Sequence, residues 1–142
     1  MGHLPDQHNG HDDIAIGAPQ YGEGGAAFVV FGGTQYHGSF FLDEMDGSDG
    51  FGILGANKGD RCGGDLKKAG DFNGDGYGDI IVGAPAVAHR RGAAYIVLGR
   101  KNFGPTVKAD ITLRGDTFQD VAGYAVSGAG DVDGDGLDDV LV

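Results

Sequence analysis

Two nine-residue stretches concentrate the oxygen-bearing side chains of this sequence. In Asp71-Phe-Asn-Gly-Asp-Gly-Tyr-Gly-Asp79 they fall at positions 1, 3, 5 and 9, as Asp71, Asn73, Asp75 and Asp79. In Asp131-Val-Asp-Gly-Asp-Gly-Leu-Asp-Asp139 the same positions are Asp131, Asp133, Asp135 and Asp139. Alternate residues of a tight loop turn inward, so this spacing aims four side-chain oxygens at one centre. The glycines at positions 4 and 6 allow the dihedrals of such a turn. The carbonyl of Tyr77 or Leu137, at position 7, supplies a fifth oxygen. An all-oxygen set without His or Cys selects a hard cation. Five protein oxygens plus water suit Ca2+ better than Mg2+.

An EF-hand loop shares the first six positions but needs a bidentate acid at position 12. That position is Val82 in one stretch and Val142 in the other, and Gly83 and Pro85 would break an exiting helix. The EF-hand reading fails.

The composition fits loops that hold cations. Of 21 acidic residues, 19 are Asp, a residue of turns and caps rather than of helix surfaces. The net charge of −11 repels phosphate backbones and argues against nucleic acid as a partner. Thirty of 142 residues are Gly, while 40% are hydrophobic, which excludes a disordered tail. Cys62 is the single cysteine, so an intrachain disulfide is impossible. The residues after Met1 do not read as a signal peptide, and no apolar run is long enough to span a bilayer, so direct membrane insertion is not expected.

The elements that must position these loops are repeated. The Asp stretches are offset by 60 residues, and Gly59-Asp60-Arg-Cys-Gly63 aligns with Gln119-Asp120-Val-Ala-Gly123. A copy 66 residues earlier matches Asp13-Ile-Ala-Ile-Gly-Ala-Pro19 to Asp79-Ile-Ile-Val-Gly-Ala-Pro85. Short runs bounded by Gly, Pro or Asp predict strands at Asp13–Gly17, Ala26–Phe31, Ile80–Val82, Ala93–Leu98, Ile111–Leu113 and Tyr124–Val126. Further strands are expected at Gly64–Lys68, where Asp65 and Lys67 mark an edge or irregularity, and at Ser39–Leu42, as the fourth strand of the first unit. Four short antiparallel strands per repeat describe a propeller blade, so the chain reads as all-β. The expected organisation is an N-terminal segment with a degenerate loop (1–12), a partial blade (13–62), a complete blade (63–113) and a truncated blade (114–142). One full and two partial blades cannot close a ring. Further blades or other copies of the chain are therefore expected partners.

The units resemble FG-GAP repeats, the blades of the integrin α-subunit propeller and of related bacterial proteins. Gly70 to Pro85, Gly92-Ala-Ala-Tyr-Ile-Val-Leu-Gly99 and Gly130 to Asp139 carry the resemblance, with Phe51-Gly52 and Phe103-Gly104 as weaker signals. It implies Ca2+ in the Asp loops on one face of the propeller, partner docking on the opposite face, and an extracellular or cell-surface location. By alignment the first copy of the loop carries Pro5, Gln7 and Asn9, so a third, degenerate site near Asp13 is doubtful. The expected function is non-catalytic adhesion or recognition of a protein or glycan ligand. The alternative is an accessory domain of an extracellular hydrolase such as a phospholipase D-like enzyme.

On the docking face the loops Gln20–Gly24 and Ala86–Arg91 offer Tyr21 and the basic group His89, Arg90 and Arg91 as candidate partner contacts. Other motifs have plainer explanations. Arg114-Gly115-Asp116 spells an integrin-ligand tripeptide, but Gly115 aligns with Gly55 and serves a strand end. Gly22-x-Gly24-x-x-Ala27 precedes a strand, whereas a dinucleotide fingerprint opens a helix. His3, His8 and His11 lack a metal-binding spacing, and no nucleophile–base constellation stands out.

Overall fold

The computed structural model describes residues 10–33 and 36–142. The first sheet runs in the order β1 (Ile14–Ala18), β2 (Ala26–Val30), β3 (Gly50–Leu54) and β7 (Thr106–Val107). The second runs β4 (Leu66–Gly70), β5 (Asp79–Ala84), β6 (Ala93–Val97) and β8 (Ile111–Arg114). A third pairs β9 (Ser127–Gly130) with β10 (Asp139–Leu141). Among the described residues these strands pair antiparallel except β3 with β7, and isolated parallel bridges join Gly25 to Cys62 and Gly92 to Ala122. The fold is all-β, built of successive propeller blades.

The apolar run of β5 is continuous because the second blade is covered on both sides. In β5, Ile80 and Val82 join Ala27, Val29, Phe51 and Ile53 in a core between the first two blades. Ile81 points the other way and packs with Ala94, Ile96 and Val126 toward the third. Ile80, Ile81 and Val82 are fully buried, each contributing about 1.5–3 kcal/mol of transfer free energy.

Glycines set how closely the blades approach. A Cβ on Gly83 would lie 2.0 Å from the Gly123 carbonyl oxygen, and one on Gly17 would lie 2.4 Å from that of Gly63. These pairs are equivalent, so the Gly of each Gly-Ala-Pro motif is where the next blade's entry turn is seated. The entry turn is also tied to the β1–β2 or β5–β6 loop of the blade it leaves: Cys62 N–H donates to Gly24 O (2.9 Å) and Ala122 N–H to Arg91 O (3.0 Å). Cys62 is thereby sealed inside, and burial together with the nearby Asp60 pushes its thiol up to about 11. It is an inert packing residue.

Three strand expectations are corrected. Ser39–Leu42 is not a strand; the fourth strand of the first blade is β3, Gly50–Leu54. Instead, Phe40 and Leu42 lie with Tyr36 along an apolar groove of about 400 Å³ bordered by Ile14, Ile16 and Val30. A 3-10 turn at Leu42–Glu44 follows. Tyr124 and Ala125 lie in a bend, and the strand expected there begins at Ser127. The Gly64–Lys68 strand is shifted to Leu66–Gly70. It is an end strand with a register shift between Lys68 and Gly70, in keeping with the irregularity expected around Asp65 and Lys67.

Asp65 lies just before β4 and ties two blades together. Its carboxylate accepts from Val126 N–H (3.0 Å), Leu66 N–H (2.9 Å) and Lys67 Nζ (2.8 Å). Burial pushes this carboxyl up, but Lys67 and the amides outweigh burial and hold it below the usual Asp range. A depressed folded-state pKa stabilises above the unfolded value of about 3.9 and is lost as pH falls through the folded one. Asp65→Asn should therefore cost about 1 kcal/mol near neutrality, and its melting curve should converge on the parent's below about pH 4. Gly83→Ala should cost about 1–3 kcal/mol by denaturant titration. At Gly104 the nearest atom to an added Cβ is 3.8 Å away, and Gly104→Ala should change stability by less than about 0.5 kcal/mol.

Candidate functional site

Both Asp loops fold around their first residue. Asp71 Oδ1 accepts from Asp75 N–H (3.0 Å) and Oδ2 from Gly76 N–H (2.9 Å). Asp131 repeats this with Asp135 N–H (3.0 Å) and Gly136 N–H (2.9 Å), adding Gly134 N–H (2.7 Å). The third residue caps the same amide: Asp75 N–H also reaches Asn73 Oδ1 (3.2 Å), and Asp135 N–H reaches Asp133 Oδ1 (3.1 Å). Position 5 then turns the chain, as Asp75 Oδ1 accepts from Tyr77 N–H (2.9 Å) and Asp135 Oδ1 from Leu137 N–H (2.8 Å). Gly74, Gly76, Gly134 and Gly136 all have φ between 74° and 91°, the left-handed region that this coil needs.

The last acid anchors each loop to its sheet. Asp79 is fully buried, with Oδ2 accepting from Phe72 N–H (2.8 Å) and Oδ1 from Gly99 N–H (2.7 Å). Asp139 Oδ2 repeats the first of these bonds with Val132 N–H (2.8 Å), and Asp13 Oδ1 repeats the second with Gly32 N–H (2.8 Å). The residues aligned with earlier loop positions in the first copy, Pro5, Gln7 and Asn9, lie outside the described residues, as do His3 and His8.

The electrostatics differ between loops. Burial pushes the Asp79 carboxyl up; the amides of Gly99 and Phe72 oppose this, and the carboxylates of Asp75 and Asp71 reinforce it. Asp131 is held low, chiefly by the Gly136 amide with help from Gly134 and Asp135 against a desolvation cost.

In the second loop, carboxylate oxygens of Asp131, Asp133 and Asp139 lie within 4.8 Å of one another. Oxygens at 2.3–2.6 Å from a Ca2+ ion are at most about 5 Å apart, so these residues fit such an ion. Asp135 is not among those three. In the first loop Asn73 Nδ2 donates to Asp75 Oδ2 (2.8 Å), which turns the amide nitrogen toward a neighbouring acid.

One residue joins the two loops and sequence reasoning passed over it. Asp138 Oδ2 accepts from Asp71 N–H (2.8 Å), while Asp138 N–H donates to Asp71 O (3.2 Å). Its side chain stands over Gly70, where a Cβ would be 2.1 Å from Asp138 Oδ2. The available signal was a break in the repeat: position 8 is Gly78 in one loop and Asp138 in the other.

The candidate docking residues occupy equivalent loops of successive blades. Tyr21 is partly exposed and packs edge-on against Phe28 (centroids 5.1 Å apart). His89 and Arg90 belong to a short turn, Val87–Arg90, that is left-handed at Ala88, His89 and Arg90, with φ of 50°, 60° and 70°. For residues with a Cβ this costs roughly 1–2 kcal/mol each. Arg90 O and Arg91 O accept from Val121 N–H (3.1 Å) and Ala122 N–H (3.0 Å), which fixes the turn to the third blade while His89, Arg90 and Arg91 stay exposed. Nearby, Pro19, Gln20, Arg61, Asp65, Pro85 and Tyr124 line a depression of about 410 Å³ where the blades meet. Arg114-Gly115-Asp116 is built into the framework: Gly115 N–H donates to Gly92 O (3.0 Å) and Asp116 N–H to Asp120 Oδ2 (3.0 Å).

Residues 69–97 match the FG-GAP repeat family. Across 94% of its length the chain is 36% identical to integrin alpha pat-2 of Caenorhabditis briggsae and 34% identical to human integrin alpha-6, covering 12% and 11% of those proteins. It is also 29% identical to human phosphatidylinositol-glycan-specific phospholipase D, again over 94% of the chain and 17% of that protein. The chain thus spans about an eighth of the integrin relatives it matches. With its repeated blades, Gly-Ala-Pro motifs and Asp loops, this is an FG-GAP repeat protein resembling the integrin α-subunit propeller.

Proposed function

We propose that the chain is a Ca2+-stabilised, non-catalytic recognition module that acts in adhesion outside the cell. The observation that carries this reading is the convergence of the Asp131, Asp133 and Asp139 carboxylates on a volume the size of a Ca2+ coordination sphere. Asp135 and the Leu137 carbonyl complete that site; Asp71, Asn73, Asp75, Asp79 and the Tyr77 carbonyl form the other. Two Ca2+ ions would supply +4 and move the net charge from −11 to −7. The integrin relatives support an extracellular or cell-surface location and a protein or glycan ligand.

Ligand docks on the loop side, through Tyr21, His89, Arg90 and Arg91. Support comes from the strained left-handed turn, since strain of this kind persists where the surroundings over-determine it and clusters at binding sites. Replacing Arg90 and Arg91 together by Ala should weaken binding of an acidic protein ligand at least about fivefold by surface plasmon resonance; an unchanged affinity would remove this face from consideration.

The phospholipase relative favours a second reading, an accessory propeller beside a hydrolase domain. The full reading frame separates the two: a hydrolase domain supports the second, additional blades with a surface anchor the first.

A cation that binds only the folded loops stabilises by linkage, about 2.7 kcal/mol at a hundredfold excess over the dissociation constant. Chelator should therefore lower the melting temperature of the parent and change little in the Asp75→Ala/Asp135→Ala double variant. Asp75→Ala should cost more stability in Ca2+ than Asp135→Ala, because the first loop is anchored in a four-stranded sheet while the second joins a two-stranded one. A melting curve unmoved by chelator would make these loops turns only.

A further inference from the structure

We propose that the outer edge of β8 is a docking strand for an extended segment, the third-to-fourth-strand connection of the third repeat. The first blade carries the pattern already filled. There the segment that follows β6 leaves its own blade, pairs in parallel with β3 as β7, and returns to form β8. Gly52 N–H donates to Pro105 O (2.9 Å), with Gly52 opposite Thr106 and Ile53 opposite Val107. An aromatic anchor precedes the paired residues: Phe103 stacks on Phe51 (4.3 Å, 13°) and lies 5.8 Å from Phe31.

The second blade presents the same receptor. β8 is the end strand of its sheet. Gly115 N–H donates to Gly92 O as Gly55 N–H donates to Gly25 O, so the alternation of an antiparallel ladder turns the Thr112 amide outward, as it does for Gly52. Thr112 and Arg114 are exposed. Ile111 stands where Phe51 stands and Leu98 where Phe31 stands; both are half-buried, an apolar seat for an anchoring side chain. The occupant is therefore an extended strand with an aromatic residue, a Gly-Pro pair and two β-branched residues, supplied by the blade that follows. Main-chain pairing gives affinity and the aromatic seat gives register, as in strand addition generally. The proposal is independent of any cation.

The probe is a synthetic peptide with the sequence of residues 102–108, Asn-Phe-Gly-Pro-Thr-Val-Lys, added to the whole chain while amide exchange is followed by NMR. Thr112 N–H exchange should slow at least about fivefold at saturation. N-methylation of the peptide valine, or replacement of its phenylalanine by alanine, should each weaken binding about fivefold or more without touching the fold of the chain. Four results would overturn the proposal: an unchanged Thr112 rate at millimolar peptide, equal binding of the N-methylated peptide, changes at Gly52 in place of Thr112, or protection of Thr112 that grows with protein concentration alone. The last would mean that a second copy is the occupant.

Discussion

Backbone-to-backbone contact at the blade junctions is the constraint on which the rest of this molecule depends. Gly63 and Gly123 each sit in an entry turn, and a Cβ on either would lie 2.0 Å from a carbonyl oxygen of the preceding blade, Ala26 or Ala93. Both have positive φ, 83° and 78°, so the position excludes a side chain twice over. Only with the turn seated this deeply can Ile80 and Val82 reach Val29 and Phe51 across the junction. The glycine-rich composition is thus a requirement of blade spacing, and the apolar runs are its complement.

The Asp loops rest on the same framework. Asp79, Asp139 and Asp13 are the first residues of, or directly precede, the strands that those junctions hold, and each takes at least one backbone amide. Backbone amides fix these carboxylates in place. Asp138 extends the order sideways by tying the third blade's loop to Asp71, so neighbouring loops share a wall.

Much of this was legible in the residues. The 60-residue offset and the Asp spacing located both loops, and the bounded apolar runs located β1, β2, β5, β6 and β8 to within a residue or two. What failed did so for physical reasons. β3 carries Gly50 and Gly52, which depress its strand signal, while the apolar Phe40-Phe41-Leu42 run imitates a strand and instead borders a groove on the first blade. β7 is two residues long, too short for any period. Phe51-Gly52 and Phe103-Gly104 look like copies of one motif, yet Phe51 and Phe103 are partners in a stack. Tyr124 has strand propensity but lies in the bend that follows Val121 and Ala122, which bond back to Arg90 and Arg91 of the second blade.

The β3–β7 pairing has a consequence for synthesis. A chain made from its N-terminus exposes β3 once Leu54 has emerged, but the segment that seals that edge arrives about fifty residues later, at Thr106 and Val107. At about 5–20 residues per second the edge stays open for roughly 3–10 s. The first blade is then a client of the second. Its completion is scheduled by elongation, so a ribosomal pause between Leu54 and Thr106 prolongs the interval in which a bare strand edge faces the crowded cytosol or translocon.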